Sequence, residues 1–359
     1  MSEIKFMKGN EALAEAAIRA GLQGYFGYPI TPQSEVVEYL AVKEPEHNYV
    51  LVQAESEVAS INMVYGGAAA GARVMTTTSS PGFSLMQEGV SYIACAELPC
   101  VIANVVRGGP GLGTIQPGQG DYFQAVKGGG HGDYRLIVLA PNSVQEMVDM
   151  TIDAFELADK YRIPVLILSD GAIGQMMEKV VLPDPIQYKP DKPWATTGKT
   201  PDRERNIITS LYIQPDDMER KNHELQEKYD TIKKNEVDYE EYRTEDAEII
   251  AVAYGVVSRA TKKVVDLARK DGIKLGLLRP KLLWPYPEAI LSDLADEERV
   301  KFFMSIEMSS GQMVEDVRLS VNGRKPVYFY GRMGGSIPDP EEILKAIIEK
   351  KKLLEGDKK

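Results

Sequence analysis

The sequence predicts an α/β protein in which a doubly wound parallel-sheet domain is followed by a smaller α/β domain. Three observations carry that prediction. Short, continuous apolar strands alternate with helix-period segments as far as Leu168, the pattern of parallel strands covered on both faces. A charged, proline-punctuated stretch from Tyr188 to Glu245 then interrupts it. The alternation resumes at Ala247-Glu248-Ile249-Ile250-Ala251-Val252-Ala253-Tyr254-Gly255. At 359 residues the chain is long for one core, so two domains are expected, over residues 1–187 and 246–359, with residues 188–245 as a connector.

In chain order, Gly9 to Gly21 reads as a helix with Asn10 as its cap and Gly21 as its stop. Gly24 to Tyr28 is a short strand. Tyr28 before Pro29 is biased to extended backbone, Thr31 is read as an N-cap, and Pro32 as the first residue of a helix to Ala41. A strand Tyr49–Gln53 leads to a helix from Glu57 to Ala70. That helix ends in Gly66-Gly67-Ala68-Ala69-Ala70-Gly71, small residues that need a closely packed neighbour to offset their poor helix propensity.

The strand Arg73–Thr77 exits through Thr78-Ser79-Ser80-Pro81-Gly82 into a helix from Ser84 to Ala94, and the strand Cys100–Val106 into a glycine-rich loop from Arg107 to Gly120. A strand Leu136–Leu139, a helix Ser143–Tyr161 and a strand Val165–Leu168 complete the first set. In the connector, Asp216 to Lys234 reads as an exposed, ion-laced helix. The second unit has a helix Ser258–Asp271, a strand Lys274–Leu278, a loop Arg279–Pro287, a strand Lys301–Glu307 and a helix from Gln312.

Composition excludes several classes. A net charge of −11 disfavours nucleic acid and anionic membranes as partners. Cys95 and Cys100 cannot supply an iron–sulfur cluster or a cysteine-rich zinc site, and their apolar surroundings read as those of buried hydrophobes. Met-Ser-Glu-Ile-Lys-Phe-Met-Lys carries charge where a secretory segment is apolar, and no stretch approaches a membrane span, so a cytoplasmic protein is expected.

Tyr28-Pro29-Ile30-Thr31-Pro32 forms a stiff loop at a strand end, where open α/β sheets keep ligands. With Gln53-Ala54-Glu55-Ser56-Glu57-Val58-Ala59-Ser60 and Thr77-Thr78-Ser79-Ser80-Pro81-Gly82, this segment resembles the alpha subunit of the 2-oxoacid:ferredoxin oxidoreductases. The similarity extends through the C-terminal third. It is closest to the 3-methyl-2-oxobutanoate (branched-chain) type, with the 2-oxoglutarate type next. It implies that the first domain is the pyrimidine-binding domain of a thiamine diphosphate fold, and the second resembles the transketolase C-terminal domain.

Glu57 in a first helical turn complements the macrodipole. The resemblance implies a further role, a bond to N1′ of the thiamine aminopyrimidine that promotes proton removal from the thiazolium. Glu55 is the competing carboxylate. The family spacing from Ser-Glu to a glycine nine positions on, Gly66, selects Glu57. Thr31 reads as a cap or as a hydroxyl facing substrate, with Tyr28, Pro29 and Ile30 shaping the cofactor wall. Arg107 reads as a surface strand end or as a guanidinium that forks onto a 2-oxoacid carboxylate, the role the resemblance supports. Gly111-Leu112-Gly113 lacks the third glycine of a dinucleotide fingerprint. His131, in a glycine-rich loop, has no nearby ligand partner in sequence and reads as structural.

The chain has Ser169-Asp170-Gly171 and Lys270-Asp271-Gly272 but no Gly-Asp-Gly segment of the kind that holds magnesium on the diphosphate. No metal ligands are therefore assigned. The resemblance implies a beta subunit carrying the diphosphate and Mg2+, gamma and ferredoxin-like delta subunits, iron–sulfur clusters on partner subunits, and ferredoxin as acceptor. The implied reaction is oxidative decarboxylation of a 2-oxoacid with coenzyme A. The residues themselves leave open a 2-oxoglutarate enzyme, a non-redox transketolase- or decarboxylase-like subunit, and a silent ligand-binding scaffold.

Overall fold

The computed structural model describes residues 3–188 and 191–356. The expected domain ranges also take in Met1, Ser2, Lys189, Pro190 and residues 357–359, which lie outside the described residues. In chain order the strands are β1 (Glu3–Lys8), β2 (Gly24–Gly27), β3 (Val50–Gln53), β4 (Val74–Thr78), β5 (Cys100–Val106), β6 (Ile137–Leu139) and β7 (Pro164–Asp170). They continue with β8 (Met177–Leu182), β9 (Tyr239–Tyr242), β10 (Ile249–Val252), β11 (Leu275–Pro280), β12 (Leu282–Trp284), β13 (Phe302–Glu307) and β14 (Val327–Gly331).

A seven-stranded sheet runs β12-β6-β7-β5-β4-β2-β3. Its neighbours are parallel except for β12 against β6. β2 has β3 on one side and β4 on the other, so the strand order reverses there. Side chains at the carboxyl ends of β2, β3, β4 and β5 converge on that reversal, the place where open α/β sheets form a crevice. A five-stranded sheet runs β14-β13-β10-β11-β9, parallel except at β9, and β1 pairs antiparallel with β8.

The expected small-residue packing is present at particular positions. A Cβ on Gly67 would stand 2.8 Å from Val74, which lets the helix Glu57–Ala69 lie close on β4, and one on Gly89 2.6 Å from Ile61, which lets the helix Pro81–Cys95 approach the helix Glu57–Ala69. Gly66 faces open space.

Two expected caps are corrected. Lys8, not Asn10, occupies the N-cap of the helix Gly9–Arg19. Asn10 is inside the helix, and its side-chain amide donates to the Pro32 carbonyl at 2.7 Å and to Glu35 at 2.9 Å. The helix expected from Pro32 starts at Ser34 with Gln33 as N-cap, because the chain makes a further turn at Thr31-Pro32. Gln33 turns its side chain inward instead of capping.

The segment read as a loop over Arg279–Pro287 contains β12, which adds an edge strand to the first sheet, with Leu282 opposite Leu139. Beside it Arg279, 1% exposed, forks onto Glu146 at 2.6 and 2.8 Å and onto Glu240 at 2.8 Å. Burial raises the Glu146 pKa, but Arg279 outweighs it and holds the carboxylate below its ordinary range. The connector is ordered through its helix Pro215–Asn235, which buries Leu225, Tyr229 and Ile232, and through β9, which joins the second sheet.

Gln119 rivets the glycine-rich loop to the second unit. Its backbone N–H donates to Met308 O at 2.9 Å, its Oε1 accepts from Met308 N at 2.9 Å, and its Nε2 donates to Tyr254 O at 3.0 Å. Glu307, fully buried, accepts from Ser305, Ser309 and the backbone N–H groups of Gln312, Met313 and Val314, and so fixes the opposing loop.

Candidate active site

Ser56 caps the helix Glu57–Ala69 by accepting from Ala59 N at 3.1 Å, which places Glu57 in the first turn at the end of β3. Glu57 is 5% exposed, and among the described residues nothing donates to its carboxylate. Glu55 lies in solvent. Neither oxygen is among the fully buried atoms that lack a partner, so a carboxylate on a largely buried side chain opens to the crevice at the sheet's reversal point, the character of a ligand-binding group.

The exit of β4 touches both Glu57 and Arg107. A Cβ on Gly82 would collide with Thr78 Oγ1 and stand 2.6 Å from Glu57 Oε1, so the absent side chain leaves room for the carboxylate. Ser80 precedes the helix Pro81–Cys95 at φ 35°, a conformation costing about 1–3 kcal/mol for a non-glycine residue. Ser80 N donates to Asn104 Oδ1 at 2.8 Å, and Ser80 Oγ accepts from Arg107 N at 3.0 Å. These bonds hold the strained turn against β5.

Arg107 is 7% exposed rather than at the surface. Its Nη1 donates to Thr31 O at 2.8 Å and its Nη2 to Leu112 O at 2.9 Å, while the buried Nε has no partner among the described residues. The guanidinium thus ties the Tyr28–Thr31 loop to the glycine-rich loop. Asp121 lies close enough to feel its charge; burial raises the Asp121 pKa, opposed by hydrogen bonds from Ser80 and Asn104 and by Arg107.

Tyr28, Pro29 and Thr31 are exposed and Ile30 is half-buried. A buried chain of hydrogen bonds fixes this loop from below: Tyr25 Oη to Thr77 Oγ1, Thr77 to Gln33 Oε1, and Gln33 Nε2 to Tyr28 O at 3.2 Å. Asn10 and Gln175 hold the Pro32 carbonyl from the other side.

His131 is not brought to this edge. It is exposed and lines a separate cavity of about 350 Å³ with Tyr92 and Cys95. Burial raises both thiols, Cys100 to about 12, so neither is a thiolate nucleophile at neutral pH. Thr78, Gly82 and Gln33 shape the site without any local sequence signal, since their contacts with Glu57 and the Tyr28–Thr31 loop come from separate segments of the chain.

A carboxylate, a hydroxyl-lined strand exit and an arginine at the reversal point of a parallel sheet define a cofactor-binding α/β enzyme chain. Residues 15–241 match the family described as pyruvate flavodoxin/ferredoxin oxidoreductase, thiamine diphosphate-binding, and residues 247–343 match pyruvate:ferredoxin oxidoreductase core domain II. The chain belongs to this family, as an alpha subunit of the 2-oxoacid:ferredoxin oxidoreductases.

It is 53% identical to the ketoisovalerate oxidoreductase subunit VorB of Methanothermobacter marburgensis, over 96% of this chain and 97% of that one. The 2-oxoglutarate synthase subunit KorA of the same organism is 38% identical over 97% and 99%. The 2-oxoglutarate:ferredoxin oxidoreductase from Magnetococcus marinus, solved with 2-oxoglutarate, coenzyme A and succinyl-CoA bound, superposes with a TM-score of 0.86 at 30% identity, over 96% of this chain. The chain spans 65% of the length of that solved chain. A split-gene transketolase shares the fold at TM-score 0.57 and 13% identity, over 95% of each chain. No described helix is long and apolar enough to cross a membrane.

Proposed function

We propose that this chain is the alpha subunit of a ferredoxin-dependent oxidoreductase that converts 3-methyl-2-oxobutanoate and coenzyme A to the acyl-CoA and carbon dioxide. The observation that carries the reading is the buried, unpartnered Glu57 carboxylate beside Gly82 at the carboxyl edge of the sheet. Thiamine diphosphate, when bound, supplies the carbanion chemistry that releases carbon dioxide. Glu57 holds and shares a proton at the aminopyrimidine N1′. Arg107, which donates to Thr31 O and Leu112 O, orders the two loops and supplies the cation that meets the substrate carboxylate. Thr31 presents its hydroxyl at the mouth, with Tyr28, Pro29 and Ile30 forming the wall.

The site is completed by a beta subunit that carries the diphosphate and Mg2+, with iron–sulfur clusters on gamma and ferredoxin-like delta subunits. Exposed apolar residues flank the site: Val58 next to Glu57, Leu85 one turn beyond Gly82, and Leu112 and Ile115 on the glycine-rich loop. Such a rim supports burial against a partner. The preference for a branched acid over 2-oxoglutarate rests on the stronger similarity to VorB than to KorA. Turnover of the assembled complex on pyruvate, 3-methyl-2-oxobutanoate and 2-oxoglutarate tests it; a preference for 2-oxoglutarate overturns the substrate assignment. The chain alone is expected not to bind thiamine diphosphate tightly, and micromolar binding by calorimetry would contradict the shared site.

A further inference from the structure

We infer that Thr78 is a positioning residue for Glu57, its hydroxyl fixing one carboxylate oxygen so that the other faces the aminopyrimidine. The inference rests on the reading of Glu57 given above.

Thr78 closes β4 at 0% exposure, and its buried Oγ1 has no hydrogen-bond partner among the described residues. Helical threonines of this chain escape that condition by bonding back to the preceding turn, as Thr151 does to Met147 O at 2.6 Å and Thr261 to Val257 O at 2.9 Å. A threonine in a strand has no such carbonyl within reach. Thr76 Oγ1 and Ser79 Oγ are also unpartnered, but only Thr78 Oγ1 crowds the point above Gly82 that Glu57 Oε1 also crowds.

Thr78 Oγ1 is not hydrogen-bonded to Glu57 in this structure, yet it and Glu57 Oε1 both crowd the point that a Cβ on Gly82 would occupy, the latter at 2.6 Å, so the glycine leaves open the space in which they can meet. A hydrogen bond from Thr78 restricts Glu57 to one orientation, so less ordering remains when the cofactor docks.

The test uses the complex assembled with its partner subunits and compares Thr78→Val, Thr78→Ser and Glu57→Gln with wild type. The readouts are thiamine diphosphate affinity by calorimetry, the circular-dichroism signature of the bound aminopyrimidine, and the melting temperature. Valine keeps the volume and removes the hydroxyl, so the fold should hold. Cofactor affinity should fall about ten- to a hundredfold, the scale of a hydrogen bond to a charged group. The signature should weaken with it. Serine should restore most of both. Wild-type affinity and signature in Thr78→Val overturn the proposal, as does equal loss in the valine and serine variants, which would assign the effect to packing of the methyl group. If Glu57→Gln keeps wild-type affinity and signature, the reading of Glu57 itself fails. If Glu57→Gln loses them while Thr78→Val does not, only the role of Thr78 fails.

Discussion

Arg107 reaches from the end of β5 to the carbonyl oxygen of Thr31, Nη1 donating at 2.8 Å, so one guanidinium governs the loop that follows β2. Its second nitrogen does the same for the glycine-rich loop at Leu112. The residue is thereby both a candidate substrate contact and the clasp of the site.

A 2-oxoacid binds as an anion whose carboxylate loses charge as carbon dioxide leaves, so Arg107 should favour binding more than turnover. Arg107→Ala is expected to raise KM more than it lowers kcat, with kcat/KM falling about ten- to a hundredfold. Release of the two loop carbonyls should also lower the melting temperature. Lysine should recover part, because an ammonium keeps the charge without the planar fork. Steady-state kinetics of both variants decide the matter; an unchanged KM removes Arg107 from the substrate site.

Glu57→Gln in the assembled complex should lose turnover by orders of magnitude, whereas Glu55→Gln should keep most of it. Burial of one carboxylate and exposure of the other is the reason. Comparable losses at both positions would mean that Glu57 is not the carboxylate at the aminopyrimidine.

Asp170 gives the chain a pH-dependent term. Burial pushes its carboxyl up to about 6 from an ordinary 3.8, against backbone hydrogen bonds from Ile173, Ala172 and Val256 that favour the ion. The folded state therefore holds a proton that the unfolded chain has already released between pH 3.8 and about 6. The stabilisation that this proton confers is complete below the lower value and lost as pH rises through the upper one. Relative to Asp170→Asn, the wild-type chain should lose stability of order 3 kcal/mol across that window. Urea unfolding of both proteins at pH 4 and pH 7 measures it; parallel behaviour refutes the raised pKa.

Gln119→Ala should destabilise the junction between the two sheets, because two side-chain bonds to Met308 N and Tyr254 O vanish from a residue 3% exposed. A loss of about 1–3 kcal/mol is expected, read as a lower melting temperature and faster proteolysis of the glycine-rich loop. An unchanged melting temperature would mean that the junction is held without it.

The alternating strands and the place of Glu57 in a first helical turn were legible in the sequence, because burial between helices imposes continuous apolar strands and a local cap fixes where a helix begins. Ser56 and Glu57 are adjacent in the chain, and their geometry needs nothing distant. What only the tertiary structure decided depends on pairs far apart. β12 is three residues long and acquires its strand character from β6, 143 positions earlier at the Leu282–Leu139 pair, so no local pattern announces it. Thr31 does not cap because Asn10, Gln33 and Gln175 anchor the Tyr28–Pro32 loop from segments that no spacing rule connects. Arg107 is legible as a cation at a strand end, but its grip on Thr31 and Leu112 exists only once parallel strands bring those loops to one edge. The meeting of Thr78, Gly82 and Glu57 has the same origin: β3 and β4 flank β2 on opposite sides, and sheet order, which a chain reads out only by folding, sets that neighbourhood.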